Sequence, residues 1–198
     1  MTEAHEGGDR IHWEARYRER STESDRTPSR WVIDRCLTLP SSAVIVDVAG
    51  GTGRHAASLA EQGRKVILID FVEHAVSRAV ARHSRVLGVV ADARALPLRH
   101  ERVDAIVCVS FLDRSLFPVF ASLLRPNGVL VYETFTRAHL DLVARGLARG
   151  PKTPAFLLEP NELPALVAPL RVTEHEERLV VDAGGERHVA RVMAVKRP

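Results

Sequence analysis

Five short apolar runs separated by amphipathic segments dominate the first two-thirds of this chain. They cover residues 44–48, 66–69, 86–90, 103–109 and 129–132. Each has strand length and is rich in β-branched residues, the texture of strands buried on both faces. Between them, Arg54 to Gln62 (ending at Gly63), Glu73 to His83 and Leu112 to Leu124 (ending near Pro126 and Gly128) carry helical spacing. Strand, helix and strand repeated in this order predict α/β architecture: a doubly wound, Rossmann-like, seven-stranded and mostly parallel sheet. The end of the chain differs. Residues 146–164 hold Gly146, Gly150, Pro151, Pro154, Pro160 and Pro164 and read as a loop, with one helix around Asn161 to Val167. Leu170 to Val181 and His188 to Val195 flank Gly184 and Gly185, which predicts a C-terminal antiparallel hairpin.

Residues 1–26 are polar, with Trp13 and Tyr17 as their aromatics. Their i, i+4 spacing places both on one face of a short helix expected from Ile11 to Arg20. Thr27 and Pro28 form a cap and first-turn pair for a second helix through Trp31, Val32, Cys36 and Leu37, ended by Pro40. The expected organisation is one domain, with residues 1–40 as a helical lid segment and 41–198 as the core. The 28 basic residues exceed the 25 acidic ones by only three, and the excess is scattered. That argues against a nucleic-acid polymer as partner. No apolar run nears the roughly 20 residues of a membrane span, and the acidic, polar start is unlike a signal peptide. Cys36 and Cys108 have no ligand-like spacing. A cytoplasmic protein with no membrane partner and no metal is expected.

The sharpest motif is VDVAGGTGRHA, residues 46–56, where the first strand meets the first core helix. Gly50, Gly51 and Gly53 allow a tight turn and close ligand approach, and the helix start offers unpaired amides. Gly51, Gly53 and Ala56 satisfy the dinucleotide pattern G-x-G-x-x-A, and Asp70 ends the second strand. An NAD-dependent oxidoreductase therefore fits this motif, whereas a P-loop lacks its G-K-[ST]. Three acids favour S-adenosylmethionine. Asp47 inside the first strand needs a cationic or hydrogen-bonding partner, which an ammonium supplies and a pyrophosphate does not. Asp92 at the third strand's end can accept an adenine amino group. Asp47, Asp70 and Asp92 together suit a cationic ligand better than a dianionic one.

With WEARY at 13–17, VILIDF at 66–71, ADA at 91–93, FLDRSLFP at 111–118 and RPNGVLVYETFT at 125–136, the sequence resembles class I S-adenosylmethionine-dependent methyltransferases. Its nearest likeness is to the small bacterial branch that includes tellurite-resistance methyltransferases. The resemblance implies that Asp47 and the backbone of Ala49, Gly50, Gly51 and Gly53 hold the methionine end. Asp70 would take the ribose hydroxyls, Phe71 would pack on adenine, and Asp92 and Ala93 would bind the adenine edge. Ser110 would line the floor beneath the sulfonium, and Trp13 and Tyr17 would belong to a helix closing over the cofactor. In the closing hairpin, Leu179 and Val180 stand where tellurite-resistance proteins carry a His-Arg pair, which argues against tellurite itself.

Methyl transfer is an in-line displacement that depends on positioning and a dry site, so it leaves no obligatory catalytic signature. Val109, Ser110, Phe111 and Leu112 replace the [DN]-P-P-[YF] motif of exocyclic-amine methylation, and a Pro-Cys nucleophile pair is missing. Candidates near the acceptor are Arg114, Tyr132, Glu133, Thr134 and His139, with Arg114, Tyr132 and His139 as weak catalytic candidates. His55 is expected to pack or cap, and Arg78, Arg82 and Arg85 to form a solvated stripe. The expected activity is methyl transfer to a small-molecule acceptor: a thiol, a chalcogen oxyanion or a metabolite hydroxyl. An NAD enzyme and a non-catalytic S-adenosylmethionine-binding module are the alternatives.

Overall fold

A computed structural model describes residues 13–15, 17, 27–182 and 185–198. Seven strands form one sheet: β1 (Val44–Val48), β2 (Lys65–Asp70), β3 (Val86–Val90), β4 (Val103–Val109), β5 (Leu124–Phe135), β6 (Arg171–Asp182) and β7 (Gly185–Val195). Their order is β3-β2-β1-β4-β5-β7-β6. The first five run parallel, and β7 lies antiparallel between β5 and β6. The expected doubly wound sheet with a closing hairpin is therefore the observed one.

The helices are α1 (Arg30–Leu37), α2 (Arg54–Glu61), α3 (Glu73–Arg82), α4 (Leu116–Leu123), α5 (His139–Ala144) and α6 (Leu163–Leu166), with short 3-10 turns at Ala93–Ala95 and Pro154–Phe156. Strand alternation divides the apolar residues between two faces. Ile45, Leu68, Ala105, Val107 and Val131 pack under α1, α2 and α3 through Val32, Ile33, Cys36, Ala56, Leu59 and Ala79. Val46, Val48, Ile106, Cys108, Leu130 and Tyr132 pack on the other face against Phe117 and Phe120 of α4, with Leu158, Leu163 and Val167. Both faces are covered, which is why the central strands read as continuous apolar runs rather than alternating ones.

Four boundaries differ from expectation. Helix α1 begins at Arg30 with Ser29 at its N-cap, past the Thr27 and Pro28 pair expected to open it. Helix α1 falls inside the proposed lid segment, yet Val32, Ile33 and Cys36 are core residues. It belongs to the layer beneath the sheet. Helix α4 begins at Leu116 rather than Leu112, because the Asp113 carboxylate accepts from the Ser115 N–H at 3.0 Å and holds a turn there. Strand β5 begins at Leu124, not at Val129. Its register with β4 shifts between Val103 and Ala105, and Asn127, at φ 63°, sits in the irregular stretch where a helix end was expected.

Residues 13–15 and 17 are helical, as the Trp13 and Tyr17 spacing requires, and their rings lie 5.6 Å apart. The rest of the expected Ile11–Arg20 helix, and Gly184 of the hairpin turn, lie outside the described residues. Among the described residues, no helix is long and apolar enough to cross a membrane.

Candidate functional site

The strand order turns back between β1 and β4, so the loops leaving these strands diverge and open a crevice at the carboxyl edge. The loop after β1 fills the base of this crevice. Ala49, Gly51 and Gly53 have φ of 54°, 56° and 79°, and the last caps the start of α2. Glycine is required at two of these positions for reasons beyond the left-handed backbone. A Cβ at Gly53 would lie 2.6 Å from Ala79 Cβ, and one at Gly51 would lie 2.7 Å from the Tyr17 hydroxyl oxygen. Tyr17 therefore lies directly over the loop, and the Arg78 guanidinium donates to its carbonyl at 2.9 Å. Arg82 reaches the Thr52 carbonyl at the same distance. Two members of the arginine set expected to be a solvated stripe instead clasp the N-terminal segment and the glycine loop, while Arg85 lies past the end of α3 and is exposed.

Asp47 sits beneath this loop, 1% exposed, on the face of β1 that looks toward α2. Gly50 packs so closely on it that a Cβ there would lie 2.9 Å from the carboxyl carbon. Its Oδ2 has no hydrogen-bond partner among the described residues. Burial pushes the carboxyl up to about 7, against the opposing pull of Arg54 and of a backbone hydrogen bond at Ala56. A buried acid with an open oxygen is costly, and a cationic donor would relieve it.

Asp70 lies at the end of β2, as expected, and is 3% exposed. Its Oδ2 accepts the Gly51 N–H at 2.8 Å and its Oδ1 the Val72 N–H at 3.0 Å. Burial raises its carboxyl, while these backbone bonds oppose the rise. Asp70 thus fixes the glycine loop. Asp70→Ala strands two backbone donors, and the expected cost is about 1–3 kcal/mol of stability, read by urea unfolding. An unchanged midpoint would mean that water replaces the carboxylate freely.

Phe71 is half-buried beside Asp70. Asp92 is exposed at the end of β3, where its Oδ1 accepts the Arg94 N–H at 2.8 Å and opens the turn that begins at Ala93. The Ala91 N–H donates to the Asp70 carbonyl at 3.1 Å, so the Asp70 and Asp92 segments are tied together. Ser110 leaves β4 with φ 59°; its N–H donates to the Glu133 carbonyl and its hydroxyl accepts from Arg54 at 3.3 Å. That last contact joins the start of α2 to the β4 rim across the crevice. The structure therefore brings Tyr17, Asp47, Ala49, Gly50, Gly51, Gly53, Asp70 and Ser110 to one carboxyl edge, with Phe71, Asp92 and Ala93 at its β2–β3 end.

Of the three weak catalytic candidates, Arg114 and Tyr132 are held in structural contacts, and His139 is buried with its Nε2 unpartnered among the described residues. Arg114 forms a two-pronged pair with Glu162, at 2.5 and 2.8 Å, and donates to the carbonyls of Ala155 and Leu157, so it pins the segment before α6. Tyr132 is buried against Phe117, with ring centroids 4.9 Å apart, and its hydroxyl donates to the Phe111 carbonyl. His139 is fully buried, stacked on Phe135, and its Nδ1 accepts the His188 N–H at 3.3 Å. Gly150 lies so close that a Cβ there would collide with the ring.

A buried ionic node went unread in the sequence. Glu133 Oε2 accepts the Ser29 hydroxyl at 2.8 Å and lies 2.7 Å from Arg191 Nε. Arg187 lies 3.7 Å from Oε1 and pairs with Asp182, and Arg191 also reaches Glu176 at 3.1 Å. His55 joins the node as an acceptor: its Nε2 takes the Ser29 N–H at 3.0 Å, and burial holds the ring neutral. The signal was present in the spacing. Arg187 and Arg191 alternate in step with Met193 and Val195, which pack on the core.

Residues 45–128 match the family model described as a methyltransferase domain. The 23S rRNA (guanine(748)-N(1))-methyltransferase of Streptomyces fradiae is 38% identical over 110 residues, spanning 53% of this chain and 39% of that protein. The demethylmenaquinone methyltransferase of Beutenbergia cavernae is 34% identical over 118 residues, 57% of this chain and 48% of that one. The chain spans less than half the length of these curated relatives. Among solved structures, a protein studied for conversion of a disulfide bond into a thioacetal group during echinomycin biosynthesis superposes with a TM-score of 0.77. It is 18% identical, and the match covers 95% of this chain and 92% of that one. An S-adenosylmethionine-dependent methyltransferase of Methanosarcina mazei gives 0.71 at 19% identity, over 86% and 99% of the two chains. The family match falls on the strands and loop that build the crevice: residues 45–128 are similar to a methyltransferase domain, and the chain shares its fold with the S-adenosylmethionine-dependent methyltransferase of Methanosarcina mazei.

Proposed function

We propose that the protein transfers the methyl group of S-adenosylmethionine to a small-molecule acceptor. The observation that carries the cofactor half is the buried Asp47 carboxylate with its open oxygen under a glycine loop. A cofactor ammonium, reached directly or through a water, satisfies that oxygen; a diphosphate would be repelled by it. In this reading Asp47 and the backbone of Ala49, Gly50, Gly51 and Gly53 hold the methionine end. Asp70 takes a ribose hydroxyl on lone pairs its two amide bonds leave free, since an ionised carboxylate offers about four acceptor sites. Phe71 packs on adenine, Asp92 and Ala93 take its edge, Ser110 lies beneath the sulfonium, and Tyr17 covers the loop.

The bound cofactor supplies an electrophilic methyl group on a positively charged sulfur. The chain's own contribution is positioning and exclusion of water: Arg114 and Tyr132 are held in structural contacts, and the His139 ring is buried against Phe135. That arrangement suits an acceptor already anionic or easily ionised, such as a thiol, a chalcogen oxyanion or a hydroxyl of quinol type. The demethylmenaquinone methyltransferases support a small acceptor, and the rRNA methyltransferases provide the competing one.

Thermal unfolding with S-adenosylmethionine, S-adenosylhomocysteine and NAD in parallel tests the cofactor half. Saturation at 100 times the dissociation constant is expected to add about 2.7 kcal/mol for the first two and nothing for NAD. Stabilisation by NAD alone would overturn the reading. Release of S-adenosylhomocysteine with thiol or quinol acceptors, set against release with ribosomal RNA, tests the acceptor half. Turnover with RNA alone would replace the small molecule.

A further inference from the structure

We propose that β3 is a self-association edge, through which two copies of this chain join their sheets antiparallel about Gly88. Strand β3 ends the sheet, pairing only with β2 among the described residues, so its outer backbone donors and acceptors face outward. Soluble proteins usually protect such an edge with charge, proline, a bulge or a cover. Here the five residues are Val86, Leu87, Gly88, Val89 and Val90, without charge or proline. Leu87 is 64% exposed and Val90 47%, and Val80 of the adjoining α3 is 40% exposed. Together they form an apolar border on both faces of one sheet edge.

The occupant follows from symmetry and charge. A two-fold contact needs a patch that complements itself. Centred on Gly88, the antiparallel register sets Leu87 opposite Val89 of the second copy and Val86 opposite its Val90, so apolar residues meet apolar residues on each face. Gly88 contributes no side chain at the axis, where its missing Cβ already makes room for Val76 and Val80. The ends of the strand differ in sign. Arg85 precedes β3 and Asp92 follows it, and both are exposed. The basic Arg94 beyond Asp92 is paired with Asp113 at 2.8 Å. Antiparallel pairing therefore brings each basic start beside the partner's acidic end, whereas a parallel pairing sets like charges together.

The test is the solution mass of the full chain by sedimentation or light scattering, over a dilution series. The expected result is a concentration-dependent dimer, with Leu87→Lys and Arg85→Asp each shifting it to monomer at least tenfold higher in concentration. Circular dichroism and the unfolding midpoint check that both variants keep the fold. Disulfide trapping fixes the register: Leu87→Cys combined with Val89→Cys is expected to cross-link in mild oxidant, and Leu87→Cys alone is not. A monomer at every concentration overturns the proposal, as does a dimer that survives both charge variants. A monomer that pairs only with a strand from a different protein also overturns it.

Discussion

Replacing Asp47 by Asn is expected to weaken S-adenosylmethionine binding by about 10- to 100-fold, and to remove the pH dependence of that binding. The magnitude follows from the loss of one charge-assisted hydrogen bond, worth about 1.5–3 kcal/mol. The pH dependence is the more specific signature. With its carboxyl near 7, Asp47 is about 1% ionised at pH 5 and half ionised at pH 7. If binding requires the ionised form, the apparent dissociation constant improves about 50-fold over that interval. The cofactor's own α-amino group stays protonated throughout, because such groups titrate near 8. The same group affects the ligand-free protein with the opposite slope. Between pH 4 and 7 the folded chain keeps a proton at Asp47 that the unfolded chain has released, so stability falls as the pH rises through this window and levels off above it. The full difference, from 3.8 to about 7, is on the order of 4 kcal/mol. Calorimetric titration at pH 5 and 7, paired with urea unfolding across the same range, reads both effects. Equal affinity at the two pH values in the wild type would remove Asp47 from the cofactor site.

The sequence disclosed most of this edge because the chemistry there is local. A β-branched run, an acid, three glycines in four residues and a helix occupy consecutive positions, and each constrains its neighbours by backbone geometry alone. The sheet was legible for a related reason: strands covered on both faces have little freedom to include polar residues. What the sequence concealed is long-range pairing. Asp70 was readable as a strand-end acid; that Gly51, nineteen residues earlier, donates to it was not. Arg114 resembled a rim cation until the fold placed Glu162 beside it, forty-eight residues on. Tyr132 alternates with Glu133 along β5, and only the packing of α4 against one face decides that the phenol is core. His55 was expected to pack or cap; it does pack, and the Ser29 N–H that it accepts could not be read from its surroundings in the chain.

The hairpin charges show the same limit with the largest energetic consequence. Glu133 is 1% exposed, and the side chains of Arg191 and Arg187 are 8% and 11% exposed. Three ends of the molecule meet at this carboxylate: Ser29 ahead of α1, the β5 rim beside Ser110, and β7 of the hairpin. Removing Glu133 takes away the most buried counter-charge of Arg191 and Arg187 and leaves them Glu176 and Asp182 as counter-charges. Breaking a buried pair typically costs about 3–5 kcal/mol, with the lower end expected where other partners remain. Glu133→Ala is therefore expected to lower stability by about that amount, and by about 6–20 °C in unfolding temperature for a chain of this length. Glu133→Gln should recover part of the loss, since an amide oxygen can still accept from Ser29 while Arg191 and Arg187 keep only Glu176 and Asp182 as counter-charges. Ser29→Ala removes one hydrogen bond and is expected to cost about 1 kcal/mol. The three values, ordered Ala, Gln and then the serine variant, separate charge from hydrogen bonding. A loss below about 1 kcal/mol for Glu133→Ala would mean that water reaches the node and screens it, as at a surface ion pair. Because the node anchors the chain just before α1 and the first turn of α2, the Glu133 variants should also weaken cofactor binding without touching the cofactor. Isothermal titration on the folded fraction at low temperature measures that coupling, and Ser29→Ala should reproduce it at smaller amplitude.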